Sequence, residues 1–333
     1  MNKLIINLLV PLLIITGMSC SKDDENSNES SDTTINFRQE MRGFVKKISN
    51  YSKNKAANFI IIPQNGQELI TDNGEANGAV QTEYLNAIDA TGRESMFYGY
   101  YNDDEITPEE DKQHLLSLCL LCEQNNVEVL ATDYCSTISK MDKSYQINQD
   151  NGFISFAANQ RELNNIPSYP NVIHNDNNID VNNISQAKNF LYIINGEEFA
   201  SKQSFIESVS ATNYDAIIMD LFHNELAFTN AEINQLKIKQ NGAKRLVICY
   251  MSIGEAEDYR FYWKDEWTNN KPTWLDKENP EWEGNYKVKY WDSEWQKIIY
   301  GEDDSYLDLI LNAGFDGVYL DIIDGFEYFE ENE

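Results

Sequence analysis

The residues of this chain best suited to chemistry are carboxylates that follow short apolar runs. The tail reads Gly314-Phe-Asp-Gly-Val-Tyr-Leu-Asp-Ile-Ile-Asp324, a buried strand running directly into Asp321 and Asp324. Other apolar runs end the same way. Phe59–Ile62 leads into Pro63-Gln-Asn-Gly-Gln-Glu68, Ala216–Met219 into Asp220, and Leu246–Tyr250 into Ser252 and Gly254-Glu255. Met96–Tyr98 is followed by Tyr100 and Tyr101, and Val127–Ala131 by Asp133 and Tyr134. Acids and aromatics gathered at the ends of parallel strands are how a β/α barrel presents an active face. A pair of carboxylates there can protonate a glycosidic oxygen and supply a nucleophile or base. Singly, each of these residues suits a loop or helix cap equally well; Asp324, for instance, fits a helix N-cap.

The elements that must position these groups are eight apolar runs: the five already named, plus Phe153–Ala157, Phe190–Ile194 and Val318–Leu320. Near-continuous aliphatic content suits parallel strands covered on both faces. Helical patterns at Met41–Ser52, Pro108–Gln124, Lys202–Ser210, Asn230–Gln240 and Ser305–Ala313 alternate with them. The expected fold is one α/β domain, a (β/α)8 barrel. No G-x-G-x-x-G follows any strand, so a dinucleotide-binding sheet is not indicated, and no cofactor is expected.

The net charge is −29, with 55 acids against 26 bases, which argues against nucleic acid as a partner. Cys119 and Cys122 lie in an apolar helical pattern with no second cysteine pair and no histidine at zinc spacing, so no metal site is expected. They read as small buried hydrophobes, and a bridge between them stays open. Residues 1–19 combine Lys3 with the apolar run Leu4–Ile15, a signal peptide too short to span a bilayer. Gly17-Met-Ser-Cys20 resembles a bacterial lipoprotein signal, with Cys20 lipidated, and Ser21-Lys-Asp-Asp-Glu25 resembles the surface-export tag of Bacteroidetes lipoproteins. Residues 20–36 read as an acidic tether, and the expected location is the outer membrane, exposed to the medium. Asn164–Gln186, rich in Asn, reads as a linker. All six tryptophans fall between Trp263 and Trp295, as core or as the wall of a sugar-binding groove.

Three long motifs carry a family resemblance: Ile248-Cys-Tyr-Met-Ser-Ile-Gly-Glu-Ala-Glu-Asp-Tyr-Arg260, Trp282–Trp291 and Gly314–Asp324, with Pro63–Glu68, Ile88–Glu94 and Phe97–Gly99 beside them. They resemble glycoside hydrolase family 114, the endo-α-1,4-polygalactosaminidase-like group of TIM barrels. In that family the Leu-Asp-x-x-Asp strand precedes the Gln-Asn-Gly-x-Glu strand, whereas here Glu68 comes first and Asp324 last. The resemblance therefore implies a circular permutation. Residues 37–163 would correspond to the family's second half, 187–333 to its first, and 164–186 to the join. It implies Asp321 and Glu68 as the catalytic pair, with Glu68 the proton donor. Asn65, Asp220, Tyr250, Glu255, Asp324, Tyr101 and Asp133 would bind substrate. The implied partner is an amino-sugar polysaccharide, and the chain's acidity suits a cationic galactosamine polymer. The alternatives are a glycan-binding lipoprotein without catalysis and a barrel glycosidase for another glycan.

Overall fold

The protein is described by a computed structural model covering residues 35–196 and 198–332. The expected signal peptide, Cys20 and nearly all of the tether lie outside the described residues. Eight parallel strands form the centre: β1 (Ile60–Pro63), β2 (Ala90–Glu94), β3 (Glu128–Tyr134), β4 (Ile154–Ala158), β5 (Phe190–Ile193), β6 (Ala216–Met219), β7 (Leu246–Ser252) and β8 (Gly317–Asp321). Five of them form one ladder in the order β1-β8-β7-β6-β5, and β2-β3-β4 form a second. The two ladders meet at β1 and β2, through a parallel bridge between Gln64 and Gly92 and the 2.8 Å bond from the Asn65 amide to the Gly92 carbonyl. At the remaining edges Phe156 of β4 and Phe190 of β5 pack in a tilted contact with ring centroids 5.8 Å apart. The arrangement is a barrel-like α/β fold.

Seven of the eight apolar runs lie on strands. The exception is Met96–Tyr98, which is buried but sits in the loop after β2; the strand itself is Ala90-Thr-Gly-Arg-Glu94. Its composition hides it because β2 faces a bulky neighbour. A Cβ on Gly92 would lie 1.9 Å from the Tyr319 hydroxyl of β8, so only glycine fits. Tyr319 in turn meets Tyr192 of β5, with ring centroids 5.2 Å apart, and the Tyr192 hydroxyl donates to Gln64 Oε1 at 3.0 Å. The interior is therefore filled by tyrosines rather than aliphatic layers at this level.

Helices α1 (Phe37–Lys55), α2 (Glu109–Gln124), α3 (Ile138–Asp150), α4 (Lys202–Ser210), α5 (Asn230–Leu236), α6 (Ser293–Ile299), α7 (Tyr306–Ala313) and α8 (Gly325–Glu331) cover the strands. The last and first helices meet: Arg38 of α1 pairs with Glu330 of α8 at 2.9 Å, and Phe37 packs on Phe329 with centroids 5.5 Å apart. Arg42 of α1 donates to the carbonyls of Leu69 and Thr71 at 2.7 and 2.6 Å, which fixes the turn carrying Glu68.

After β7 the chain makes a three-stranded antiparallel excursion of Glu255–Glu257, Leu275–Glu278 and Asn285–Val288. Most of the tryptophans build its core. Trp267, Trp274 and Trp295 are buried in edge-on or tilted contacts, and the Trp295 indole donates to the Ile253 carbonyl; Trp282 stays exposed. Segment 164–186 packs along the rim where strands begin, with Val181 and Ile184 buried and the Val181 amide bonded to the Lys244 carbonyl. Cys119, Cys122, Cys135 and Cys249 are buried free thiols.

Candidate active site

Three strands end in abrupt turns. The residue after each strand end, or one further on, has a left-handed backbone: Asn65 (φ 60°), Ser95 (φ 55°) and Ile322 (φ 58°). For a β-branched residue such as Ile322 this conformation is strained, and strain of this kind concentrates where the chain must aim a functional group. Gly254 makes room for it, since a Cβ there would meet the Ile322 carbonyl oxygen at 2.1 Å. These turns present Glu68, Glu94 and Asp321 at one rim.

Asp321 closes β8. Its Oδ2 accepts the Tyr250 hydroxyl of β7 at 2.5 Å. Burial, then the charge of Glu94, push its carboxyl up to about 8; the Tyr250 and Ile322 hydrogen bonds act against this. Glu94, the last residue of β2, was not singled out by the sequence. One oxygen accepts the Tyr134 hydroxyl of β3, and the other accepts Asn65 Nδ2 at 3.2 Å. Asn65 Oδ1 also accepts the Glu94 amide, so Asn65, expected to bind substrate, holds Glu94.

Glu68 lies in the short 3₁₀ turn Gln67–Ile70, and its Oε1 stands 3.2 Å from His114 Nε2 of α2. The other ring nitrogen of His114 is 3.4 Å from Glu75. Glu68 and His114 line a cavity of about 220 Å³ with Arg93, Asp111, Asp324 and Glu327. Asp324 occupies the N-cap position of α8, but its side chain makes no capping bond there. Burial pushes its carboxyl up to about 6, against the pull of Arg93 and Lys287. Burial, then Asp324 and Glu68, push Glu327 up to about 7. These acids face one another without a full complement of cations.

The other expected substrate-binding residues divide. Asp220 is buried and pairs with Arg260 at 2.6 Å, and Arg260 also grips Glu257 at 2.5 Å. Glu255 is buried, paired with Lys287 at 2.5 Å and bonded by Asn279. Tyr101 is 72% exposed on the loop after β2. Asp133 is fully buried and turned away from the rim, accepting the amides of Phe97 and Tyr98, the Ser144 hydroxyl and Asn148 Nδ2. Its carboxylate is saturated by protein donors and ties the loop after β2 to α3. The structure thus gathers Asp321, Tyr250 and Asp324 with Glu68, Asn65 and the unforeseen Glu94. The signal for Glu94 lay in the pattern used elsewhere, an acid closing a strand, but that strand was placed six residues too late. Among the described residues no group of three or more His, Cys, Asp or Glu could hold a metal ion.

Comparison with known proteins bears on this half-ring. An uncharacterized protein of Methanocaldococcus jannaschii is 44% identical over 161 residues, 45% of this chain and 44% of the relative. Uncharacterized proteins of Thermotoga maritima and Deinococcus radiodurans are 41% and 34% identical over 123 and 125 residues, covering 36% and 38% of their own lengths. The chain thus spans less than half the length of each of these relatives. Residues 174–333, which include β5 to β8 and Asp321, match the model of glycoside-hydrolase family GH114, and that match supports a glycoside hydrolase.

Proposed function

We propose that this protein hydrolyses a glycosidic bond within an amino-sugar polysaccharide, with Asp321 and Glu94 as the working carboxylates. The observation that carries the proposal is geometric: Asp321 and Glu94 close the two strands that flank β1, at one rim, and each accepts a buried tyrosine hydroxyl. After burial, the Glu94 charge is the largest influence raising the Asp321 carboxyl. One carboxyl that gives a proton and a second carboxylate are what glycosidic hydrolysis needs. Asp321, held up to about 8, is protonated at neutral pH and is the donor to the leaving oxygen. Glu94, oriented by Tyr134 and Asn65, is the nucleophile or the base for water. Glu68, the donor implied by the family resemblance, is here a substrate-binding acid of the adjoining cavity with Asp324 and Glu327. Three acids with little cationic compensation favour a sugar bearing an ammonium group, in keeping with the net charge of −29.

The fold behind this site is a closed, circularly permuted (β/α)8 barrel. Support comes from the family match starting at residue 174, inside the segment 164–186, and from β1 to β4 lying between β8 and β5. The chain would be carried on the outer membrane by a lipid on Cys20, with the barrel on the outside. Palmitate labelling of the parent and of Cys20→Ala in a bacterial host tests the anchor.

The activity is tested on the anchorless protein with α-1,4-galactosamine oligomers and a panel of bacterial and host glycans. Shortened products from the amino-sugar oligomers, absent with Asp321→Asn and with Glu94→Gln, are expected. Binding without cleavage would mean a glycan-binding protein instead. Cleavage abolished by Glu68→Gln but kept by Glu94→Gln would return the second carboxylate to Glu68.

A further inference from the structure

Each acid of the proposed pair is held by a tyrosine, and each tyrosine ring faces an arginine. We infer that Tyr134 and Tyr250 are matched positioning residues, one for each acid, and that Arg161 and Arg260 hold them in place. This inference rests on Asp321 and Glu94 being the working pair.

The register accounts for the geometry. Asp321 lies opposite Ser252, and Tyr250 is two residues earlier on the same face of β7. Its hydroxyl therefore rises from inside the barrel to Asp321 Oδ2, at 2.5 Å. Glu94 lies opposite Thr132, and Tyr134 is two residues later on the same face of β3. Its hydroxyl reaches Glu94 from the outer side of the rim. The two acids are thus gripped from opposite directions along the barrel axis, one from below and one from above. Both tyrosines are buried, so neither hydroxyl has water as a ready substitute.

The arginines are themselves fixed. Arg161, which follows β4, sits with its guanidinium carbon 4.0 Å from the Tyr134 ring centre, donates to the Gly99 carbonyl at 2.5 Å and pairs with Asp103 at 2.8 Å. Gly99 presses on the same tyrosine: a Cβ there would lie 2.7 Å from Tyr134 Cβ. Arg260 lies 6.0 Å from the Tyr250 ring centre, clamped by Asp220 and Glu257. A cation over a phenol ring attracts the ring's electrons and makes its O–H a stronger donor. A tyrosine present only to fill the core would need no carboxylate acceptor and no cation.

The groups facing Asp321 are Glu94 from β2, Tyr192 from β5, Tyr250 from β7, Tyr319 on its own strand and Asp324 in the following turn. Of these, only Tyr250 is a side chain that donates a hydrogen bond to it. Removing that hydroxyl should raise the proton affinity of Asp321, whereas a purely structural tyrosine would leave it unmoved.

The test uses the anchorless protein and the variants Tyr250→Phe and Tyr134→Phe, with the fold checked by near-ultraviolet circular dichroism. The Asp321 carboxyl is titrated by ¹³C NMR. Its midpoint is expected to rise by about one pH unit in Tyr250→Phe, a tenfold change in proton affinity. An unchanged midpoint would overturn the assignment of Tyr250 whether or not the enzyme acts on any glycan tried. On galactosamine oligomers, Tyr134→Phe should lower kcat by roughly tenfold to a hundredfold with KM within about twofold. Arg161→Met should reproduce part of that loss, and Arg161→Lys should restore it. If the parent cleaves and Tyr134→Phe turns over like it, the positioning role of Tyr134 fails and the hydrolase stands. If the parent cleaves nothing, the hydrolase reading fails, and a Glu94 ¹³C carboxyl shift at fixed pH, expected to change in Tyr134→Phe, decides for Tyr134.

Discussion

The acids at the rim where strands begin and the Asp321 cluster where they end are treated differently, although Asp220 and Glu255 at the second rim are also paired. Where strands begin, Asp89 pairs with Lys53 at 3.0 Å and accepts the Ile61 amide; Asp316 pairs with Lys237 at 2.6 Å and accepts the Val247 amide. Asp215, fully buried, pairs with Lys239 at 2.5 Å and accepts the Lys188 amide. Each of these acids precedes one strand and accepts an amide near the start of a neighbouring strand. Where strands end, Asp321, Asp324 and Glu327 have no lysine or arginine within ion-pair distance among the described residues, and burial and mutual repulsion push all three upward. The difference separates carboxylates whose charge is fixed from those free to change it. A paired acid has its charge fixed by its partner, while an acid crowded among acids can gain or lose a proton in the working range.

The comparison breaks most readily on turnover. Asp321→Asn and Glu94→Gln should each lower kcat on galactosamine oligomers by about 10³-fold, whereas Asp316→Asn should leave it within about twofold. Comparable losses from all three would erase the distinction between rims. The reverse experiment is on stability. Asp215→Asn strands Lys239 without its counter-charge and should cost about 3–5 kcal/mol in urea unfolding, with kcat per folded molecule unchanged.

A subtler contrast lies in pH. A carboxyl whose proton affinity is raised by folding stabilises the fold fully below its unfolded value, and that contribution is lost as pH rises through about 8 for Asp321. Asp321→Asn cannot ionise, so its melting temperature should exceed the parent's by several degrees at pH 9 and by much less at pH 5. An advantage that did not grow with pH would show that Asp321 is not the strained acid described. The smallest expected effect is that of Glu68→Gln, an approximately tenfold rise in KM with kcat nearly kept, measured on the same oligomers.

Much of this architecture was legible in the residues themselves. Apolar runs marked seven strands because parallel strands buried on both faces leave little room for polar side chains. The eighth, β2, escaped because Gly92 yields its volume to Tyr319 and because Thr91 is held by Gln67 Nε2 at 2.8 Å, so its composition is not that of a core strand. Missing it displaced the strand end and concealed Glu94. Asp133 shows the converse. Read as a residue beyond a strand ending at Ala131, it belonged to the rim; within a strand continuing to Tyr134, alternation turns it outward and Tyr134 inward. Side-chain direction at a strand's last two residues depends on where the strand stops, and periodicity marks that point poorly. The arginine contacts to Tyr134 and Tyr250 join segments far apart in sequence, and no local pattern announces them.

The four-pair register between β1 and β8, from Ile60 opposite Gly317 to Pro63 opposite Leu320, stitches the first strand of the described residues to the last. Contacts between segments so distant are the slowest to form, since a long loop must close before any of them is rewarded. A piece comprising only 174–333 would leave the β8 edge bare, a template for sticking to other chains. During synthesis β1 to β4 therefore emerge well before β8, and the proposed site is complete only once that seam has zipped.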